Sequence, residues 1–278
     1  MVLDRAGSIP SVCLPWFGRH GSHPEPQPAP GRAQGGPSGQ RRLPPESGMH
    51  LRLPTALAVP PPVLQVRDLH FAYSGSPVLI RNWSHSVPAG VTWLRGDTGS
   101  GKTSLLAVLA GTQPLTGSLS LAGIDWATDA AGYRRSVFWR NPTDAAFDAL
   151  TPPQVIAALE ADYPLFDAAA CQRLLQAFAL APHLAKPLYA LSTGTRRKVW
   201  LAAALSAGAA LTLLDEPTAG LDAPSTLALM QALAALIHPP GQQSGHPSGH
   251  FFGRAVLVAS GIPLDGVPLA GVIDLPLS

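Results

Sequence analysis

From about residue 63 onward the apolar positions change period in a regular succession. In Leu64-Gln65-Val66-Arg67 and Phe71-Ala72-Tyr73 they alternate with polar ones, which predicts strands with one buried face. Val91-Thr92-Trp93-Leu94 reads as a short buried strand, Ala210 to Leu214 as an apolar strand of the kind buried on both faces in a parallel sheet, and Arg254 to Ala259 as a further strand. Ser104 to Ala110 reads as a helix closed by Gly111. Helical apolar spacing also runs through Pro152 to Leu159, Ala168 to Leu180, and Leu227, Leu229 and Leu233, the last set following Pro224 in a first turn. This succession predicts an α/β fold: a parallel core sheet with flanking helices, a mixed β layer near residues 63–95 and 117–122, and a helical insertion over about 143–205. The long apolar stretch Val199 to Leu214 is shorter than the roughly twenty residues a membrane span needs. Gly208 divides it, and Arg196-Arg197-Lys198 and Asp215-Glu216 bound it, so it predicts a buried helix followed by a buried strand.

Composition separates this body from what precedes it. Residues 1–62, with segments such as Gln27-Pro28-Ala29-Pro30-Gly31 and Gln34-Gly35-Gly36-Pro37-Ser38-Gly39, are rich in Pro, Gly and Ser without sustained periodicity, and are expected to be a disordered extension. No apolar core follows its early basic residues, so no export signal is expected, and the change in composition after Met49 makes that residue a candidate start. A net charge of +2 is spread over scattered arginines without a basic block, which disfavours nucleic acid as a partner. Cys13 and Cys171 are far apart and offer neither a disulfide framework nor a Cys-x-x-Cys metal site, which suits a reducing cytosol. His246 and His250 sit in a Gly/Ser/Pro-rich loop with no further ligand nearby.

The chemistry begins at Gly96-Asp97-Thr98-Gly99-Ser100-Gly101-Lys102-Thr103, placed between the strand ending at Leu94 and the helix opening at Ser104. A Gly-x-x-x-x-Gly-Lys-Thr loop in that position wraps nucleotide phosphates in backbone N–H groups, with the helix N-terminus adding positive potential. Lys102 is expected to reach the terminal phosphates, and the Thr103 hydroxyl to ligate Mg²⁺. Ser104 is a less committed member of the set. A second half-site follows from the strand at 210–214, which ends in two carboxylates at the edge where parallel sheets place their ligands. Asp215 is expected in the water shell of Mg²⁺, and Glu216 to orient or deprotonate the water attacking the γ-phosphate. Upstream, Leu191-Ser192-Thr193-Gly194-Thr195 opens another helix, with Ser192 as N-cap and Gly194 near its exposed amides.

Together these segments resemble the nucleotide-binding subunit of an ATP-binding cassette (ABC) transporter over residues 63–278. Tyr73 matches the adenine-stacking aromatic, residues 191–195 the signature, Asp215-Glu216-Pro217-Thr218 the acidic strand, and Ala219-Gly220-Leu221-Asp222 the D-loop. The resemblance implies a P-loop fold of the ABC type, with an antiparallel β subdomain and an α-helical subdomain beside the parallel sheet. It implies ATP and Mg²⁺ as ligands, and two subunits, as a homodimer or with a paired ABC subunit, sandwiching ATP between the phosphate loop of one and Ser192 and Gly194 of the other. It implies coupling to an integral-membrane permease from the cytoplasmic face, peripheral to the membrane, the chain having no transmembrane segment of its own.

Three motifs depart from the family pattern. Asn141 stands at the glutamine of the glutamine loop, a shorter amide that reaches metal or water through one bridging water. Thr193 and Thr195 replace the first glycine and the glutamine of the signature. At the end of the strand 254–259, Ser260 stands where a switch histidine is expected; it can hydrogen-bond a phosphate but carries no charge. Slow or partner-dependent hydrolysis follows as an expectation. A regulatory or binding module of ABC type with weak hydrolysis and no transport role is the alternative.

Overall fold

The computed structural model describes residues 62–140, 145–236 and 253–277. In chain order its strands and helices are β1 (Leu64–Ala72), β2 (Val78–Val87), β3 (Gly90–Arg95), α1 (Lys102–Leu109), β4 (Thr116–Leu121), β5 (Ile124–Asp125), α2 (Ala130–Arg135), β6 (Val137–Phe138), α3 (Pro152–Asp162), α4 (Ala168–Ala177), α5 (Thr193–Ser206), β7 (Leu211–Asp215), α6 (Ala223–Ala235), β8 (Ala255–Ser260) and β9 (Gly271–Asp274). The near-continuous apolar runs form a parallel sheet of order β6-β7-β8-β3-β9, and the alternating segments an antiparallel sheet of order β2-β1-β4-β5. All of β8 is buried, as a central parallel strand must be when both faces are covered.

The two faces of that sheet belong to two cores. Val256 and Val258 of β8, with Val91 and Leu214, pack on one face with residues of α3 to α6, among them Val155, Cys171, Val199 and Leu229. Ala255, Leu257 and Ala259, with Leu94 and Leu213, pack on the other with Leu105, Leu106 and Leu109 of α1 and with the antiparallel sheet. The strand period of two thus assigns alternate side chains of one strand to different layers.

The expected β layer over 63–95 needs correction. β2 ends at Val87, paired with Leu64 of β1, and residues 90–95 leave for the parallel sheet instead. Pro88 has no N–H with which to continue a ladder, and Gly90 takes a left-handed φ of 107° and donates its own N–H to Arg254 O at 2.8 Å. The antiparallel sheet then closes through β4 and β5 rather than through β3. The expected insertion over 143–205 contains α3 and α4, and α5 runs one residue past its end into the buried core. β6 has two residues and β9 a single buried one, Ile273, which leaves no periodicity to mark either as a strand in the sequence. The Pro/Gly-rich extension, apart from Pro62, and both loop histidines lie outside the described residues. Among the described residues no helix is long and apolar enough to cross a membrane.

The apolar run at 199–214 divides as α5 and β7, and Arg254 joins its two halves. The Arg254 guanidinium, in the turn before β8, donates to the carbonyls of Ala204 at 2.6 Å and Leu205 at 2.7 Å at the end of α5, and to Thr212 Oγ1 of β7 at 2.9 Å. Those two carbonyls belong to the last turn of α5, where a cation suits the helix dipole. Burial pulls the guanidinium down to about 10. Arg254→Met is expected to leave these acceptors buried and unmet, lowering stability by about 2–3 kcal/mol in denaturant unfolding followed by circular dichroism.

Candidate active site

Parallel pairing brings the ends of three strands to one edge. Arg95 of β3 lies opposite Ser260 of β8, and Asp215 of β7 opposite Ala259. The phosphate-type loop, the acidic pair and the turn after β8 therefore leave the sheet side by side, at its carboxyl edge.

The loop at 96–101 is tight. Gly101 is the N-cap of α1 with φ 96°, a conformation side chains resist, and a Cβ there would meet Leu79 Cδ1 of β2 at 2.8 Å. Ser100 Oγ is turned inward, 2.6 Å from where a Cβ on Gly96 would stand, and is buried without a hydrogen-bond partner. The Ser100 N–H donates to Asp97 O at 3.1 Å and closes the turn that contains Thr98 and Gly99, the latter at φ 84°. Lys102, only 7% exposed, folds back into the loop. Its ammonium donates to Gly96 O at 2.7 Å and Asp97 O at 3.1 Å, and lies 3.2 Å from Glu216 Oε1. A buried ammonium held by carbonyls and a carboxylate is a ready partner for phosphate.

The acidic pair converges on the same space. Thr103 Oγ1, in the first turn of α1, donates to Asp215 Oδ2 at 2.6 Å, while Asp215 Oδ1 is buried with no partner. Burial raises the Asp215 carboxyl above the usual range and the Glu216 charge adds to this, while the Thr103 bond, Lys102 and Arg197 oppose it. A hydroxyl, a carboxylate and one orphaned carboxylate oxygen form the hard-oxygen set that Mg²⁺ takes, so the residues fit that ion. Glu216 has φ 41°, a left-handed conformation that costs a non-glycine residue about 1–3 kcal/mol. It is held there by its N–H on Ala259 O at 2.8 Å and by the N–H of Ala219 on its carbonyl at 3.1 Å. That kink turns the Glu216 carboxylate away from the strand and onto Lys102.

Tyr73, just beyond β1, donates its hydroxyl to Ser104 Oγ at 3.1 Å and sets its ring edge-on against Phe71 at 4.9 Å. Tyr73 is 44% exposed beside the first turn of α1. Ser192 is the N-cap of α5, its Oγ accepting the Thr195 N–H at 3.1 Å, and it is exposed. Gly194 lies against the turn after the acidic pair, so close that a Cβ would collide with Gly220 O. Arg197 donates to Ala219 O in that turn, and Lys198 bonds Asp222 at 2.6 Å. Asp222 also caps α6 through the Ser225 N–H, and Lys198 and Ser225 together hold its carboxyl well below the usual range. Arg197, Lys198 and Gly220 carry this clasp, and sequence spacing alone gave no signal for it.

Ser260 is fully buried and its hydroxyl is engaged locally, donating to Ile262 O at 3.0 Å and accepting the Ile262 N–H at 3.1 Å. The next residue faces the site. A Cβ on Gly261 would lie 3.9 Å from Gly96 O and 4.0 Å from Glu216 Oε1, and the Gly261 N–H points at Glu216 Oε2, 3.5 Å away. Asn141 lies outside the described residues. Next to it, Arg140 lies over the Trp200 ring at 4.3 Å and the Phe147 ring at 5.4 Å, and a cavity of about 360 Å³ opens between Trp139, Trp200, Arg197 and Asp215. Phe147 and Trp200 pack edge to face at 5.4 Å against the helical core.

A family model described as ABC transporter matches residues 80–219, just over half of the chain, a span that holds the phosphate-type loop, Ser192 and the acidic pair. The chain belongs to the ABC transporter family. The cytochrome c biogenesis ATP-binding export protein CcmA of Paracoccus denitrificans is 32% identical over 213 residues, covering 77% of this chain and 89% of that protein. The doxorubicin resistance ATP-binding protein DrrA of Mycobacterium tuberculosis is 33% identical over 166 residues, covering 58% of this chain, and the match spans half of DrrA's length. A solved ATP-binding subunit of an ABC transporter superposes with a TM-score of 0.58 at 23% identity, over 72% of this chain and 80% of that one. A Pyrococcus furiosus ABC ATP-binding protein gives 0.58 at 19% identity, over 76% and 96%. These two likenesses show the P-loop fold of the ABC type, with its parallel sheet, antiparallel sheet and helices. An ABC domain binds ATP, and the family is one of ATPases.

Asp215→Asn keeps an acceptor for the Thr103 hydroxyl and removes a charge that burial disfavours. The thermal midpoint is therefore expected to hold or rise near neutral pH, while nucleotide binding loses its Mg²⁺ dependence; differential scanning fluorimetry with and without Mg-ATP reads both. Because the folded carboxyl sits above its unfolded value, the wild-type protein gains stability from this group as pH falls through the carboxylate range, and Asp215→Asn should flatten that part of the pH profile.

Proposed function

We propose that the chain is the ATP-binding subunit of an ABC transporter, closing as a dimeric sandwich around ATP to drive a partner permease from the cytoplasmic face. The observation that carries this is the meeting of Lys102, Thr103, Asp215 and Glu216 around one space, with Lys102 to Glu216 at 3.2 Å and Thr103 to Asp215 at 2.6 Å. Tyr73 offers its ring to the adenine, and the loop 96–101 wraps the phosphates. Lys102 exchanges its carbonyl and carboxylate partners for the terminal phosphate oxygens. Thr103, and Asp215 through water, would hold Mg²⁺, which when bound neutralises charge on the phosphate oxygens. Glu216, released from Lys102, orients the attacking water, and Asn141 assists it. Ser192 and Gly194 serve the partner's nucleotide. Ser192 is exposed, and its hydroxyl hydrogen-bonds Thr195 of its own helix, which supports a role across an interface. Hydrolysis removes the γ-phosphate contacts, and the sandwich opens. One relative's name, an ATP-binding export protein, directs the transport test outward.

One observation favours slow hydrolysis and keeps the regulatory alternative in play. Gly261, the residue facing Glu216 and the loop, brings a backbone N–H and no side chain.

Glu216→Gln is expected to bind ATP and accumulate as a dimer by light scattering; a monomer at every ATP concentration contradicts the sandwich. Gly261→His finds only ordinary contacts at its Cβ and should raise steady-state turnover by about tenfold or more. An unchanged rate places the limit elsewhere. Co-purification of the chain with a co-expressed permease from a neighbouring gene, and its loss on Lys102→Ala or retention only as a non-hydrolysing complex, separates transport from regulation.

A further inference from the structure

Ser260 and Gly261 share a peptide unit that is held at both of its polar ends. The indole N–H of Trp93, in β3, donates to Ser260 O at 3.1 Å. The N–H at the other end of the unit, that of Gly261, faces Glu216 Oε2 at 3.5 Å. Both directions are unambiguous, because an indole and an amide nitrogen can only donate. A peptide unit is planar, so an anchored carbonyl also sets where the N–H points. A donor on the carbonyl polarises the unit as well and makes its N–H the stronger partner for a carboxylate. Trp93 is itself fixed, half-buried against the helical core with the Arg95 guanidinium 5.7 Å from its ring centre. The Ser260 hydroxyl is engaged with Ile262 as donor and as acceptor, which fixes the turn on the far side of Gly261. The Glu216 carboxylate is thus approached on both oxygens, Oε1 by Lys102 at 3.2 Å and Oε2 by the Gly261 N–H.

We infer that Trp93 is a positioning residue for hydrolysis, holding the Ser260–Gly261 peptide so that its N–H steadies the Glu216 carboxylate after Lys102 has turned to the phosphate. This rests on the role of Glu216 proposed above. Trp93 acts through the Gly261 N–H and not on the reacting atoms. When Oε1 loses Lys102, the Oε2 contact has roughly 0.5 Å to close before it reaches the ordinary N–H···O length. With a backbone donor in that place, the carboxylate stays aimed without a side chain at position 261. Trp93→Phe keeps an aromatic ring against the core and removes the one N–H, which leaves the peptide unit free to rock about the strand end.

The test uses the full chain with Mg-ATP. Phosphate release gives kcat and KM at steady state, and single turnover with protein in excess gives the rates of slow variants. Trp93→Phe is expected to lower kcat roughly three- to tenfold, the worth of one hydrogen bond, with the KM for ATP unchanged. In a Glu216→Ala background, where no carboxylate remains to be held, Trp93→Phe should have no further effect on the residual rate. A merely structural role of Trp93 would lower the rate in both backgrounds alike. An unchanged kcat in Trp93→Phe, or an equal fall in the two backgrounds, overturns the inference and leaves the role of Glu216 standing. Parent turnover in Glu216→Ala, or none in the parent itself, overturns that role and this inference with it. Should Trp93→Phe melt early, a chain with 3-benzothienylalanine at position 93 decides, since it keeps the bicyclic shape and puts sulfur in place of the N–H. A kcat equal to the parent's in that chain overturns the inference.

Discussion

The in-register hydrogen bonding of β7, β8 and β3 is the constraint on which the rest of the molecule depends. Because Asp215 pairs with Ala259 and Ser260 with Arg95, three connections more than forty residues apart in sequence leave the sheet at one height. A slip of one residue in either ladder would turn Asp215 into the core or carry Lys102 away from Glu216, since successive strand residues face opposite sides. β8 holds the register because all six of its residues are buried, Val256 and Val258 in one core and Ala255, Leu257 and Ala259 in the other. Tight packing on both faces leaves no alternative alignment with the apolar residues still covered.

Charge at the site is balanced locally and held under strain. The Lys102 ammonium is nearly removed from water, and its carbonyl and carboxylate contacts aim it into the loop. Glu216 reaches it only through a left-handed backbone held by Ala259 and Ala219. Asp215, raised by burial, keeps one oxygen unmatched. Each feature is unfavourable by itself, and each is the sort of cost that a phosphate and a divalent cation would offset.

The clasp between α5 and the turn at 217–222 gives the two half-sites a mechanical relation. Gly194 against Gly220, Arg197 on Ala219 and Lys198 on Asp222 join the helix tip bearing Ser192 to the segment that continues from Glu216. Arg254 fastens the other end of α5 to β7 and to the turn before β8. The helix is therefore tied at both ends to strands whose carboxyl ends form the site, and a change in the partners of Glu216 has a short covalent and hydrogen-bonded route to Ser192.

Much of this was legible in the residues themselves. The glycine-lysine loop, the apolar strand ending in Asp215-Glu216 and the capped helix at Ser192 follow from local chemistry, where phosphate cradles, parallel strands and helix starts each demand particular residues at short spacing. Residues 90–95 were assigned to the wrong sheet because an apolar strand of six residues does not say which neighbour it pairs with; Pro88 and the left-handed Gly90 settle that only once both sheets exist. Ser260 stands in the sequence at the switch-histidine position, and which residue there faces Glu216 has a related explanation. At the end of a wholly buried strand no alternation marks which side chain points at the site, and the tertiary structure decides for Gly261. The sequence by itself determined which chemical groups are present and what short-range structure carries them. Register and the clasp on α5 were decided only by tertiary structure, because each depends on contacts between segments whose separation along the chain leaves no local pattern.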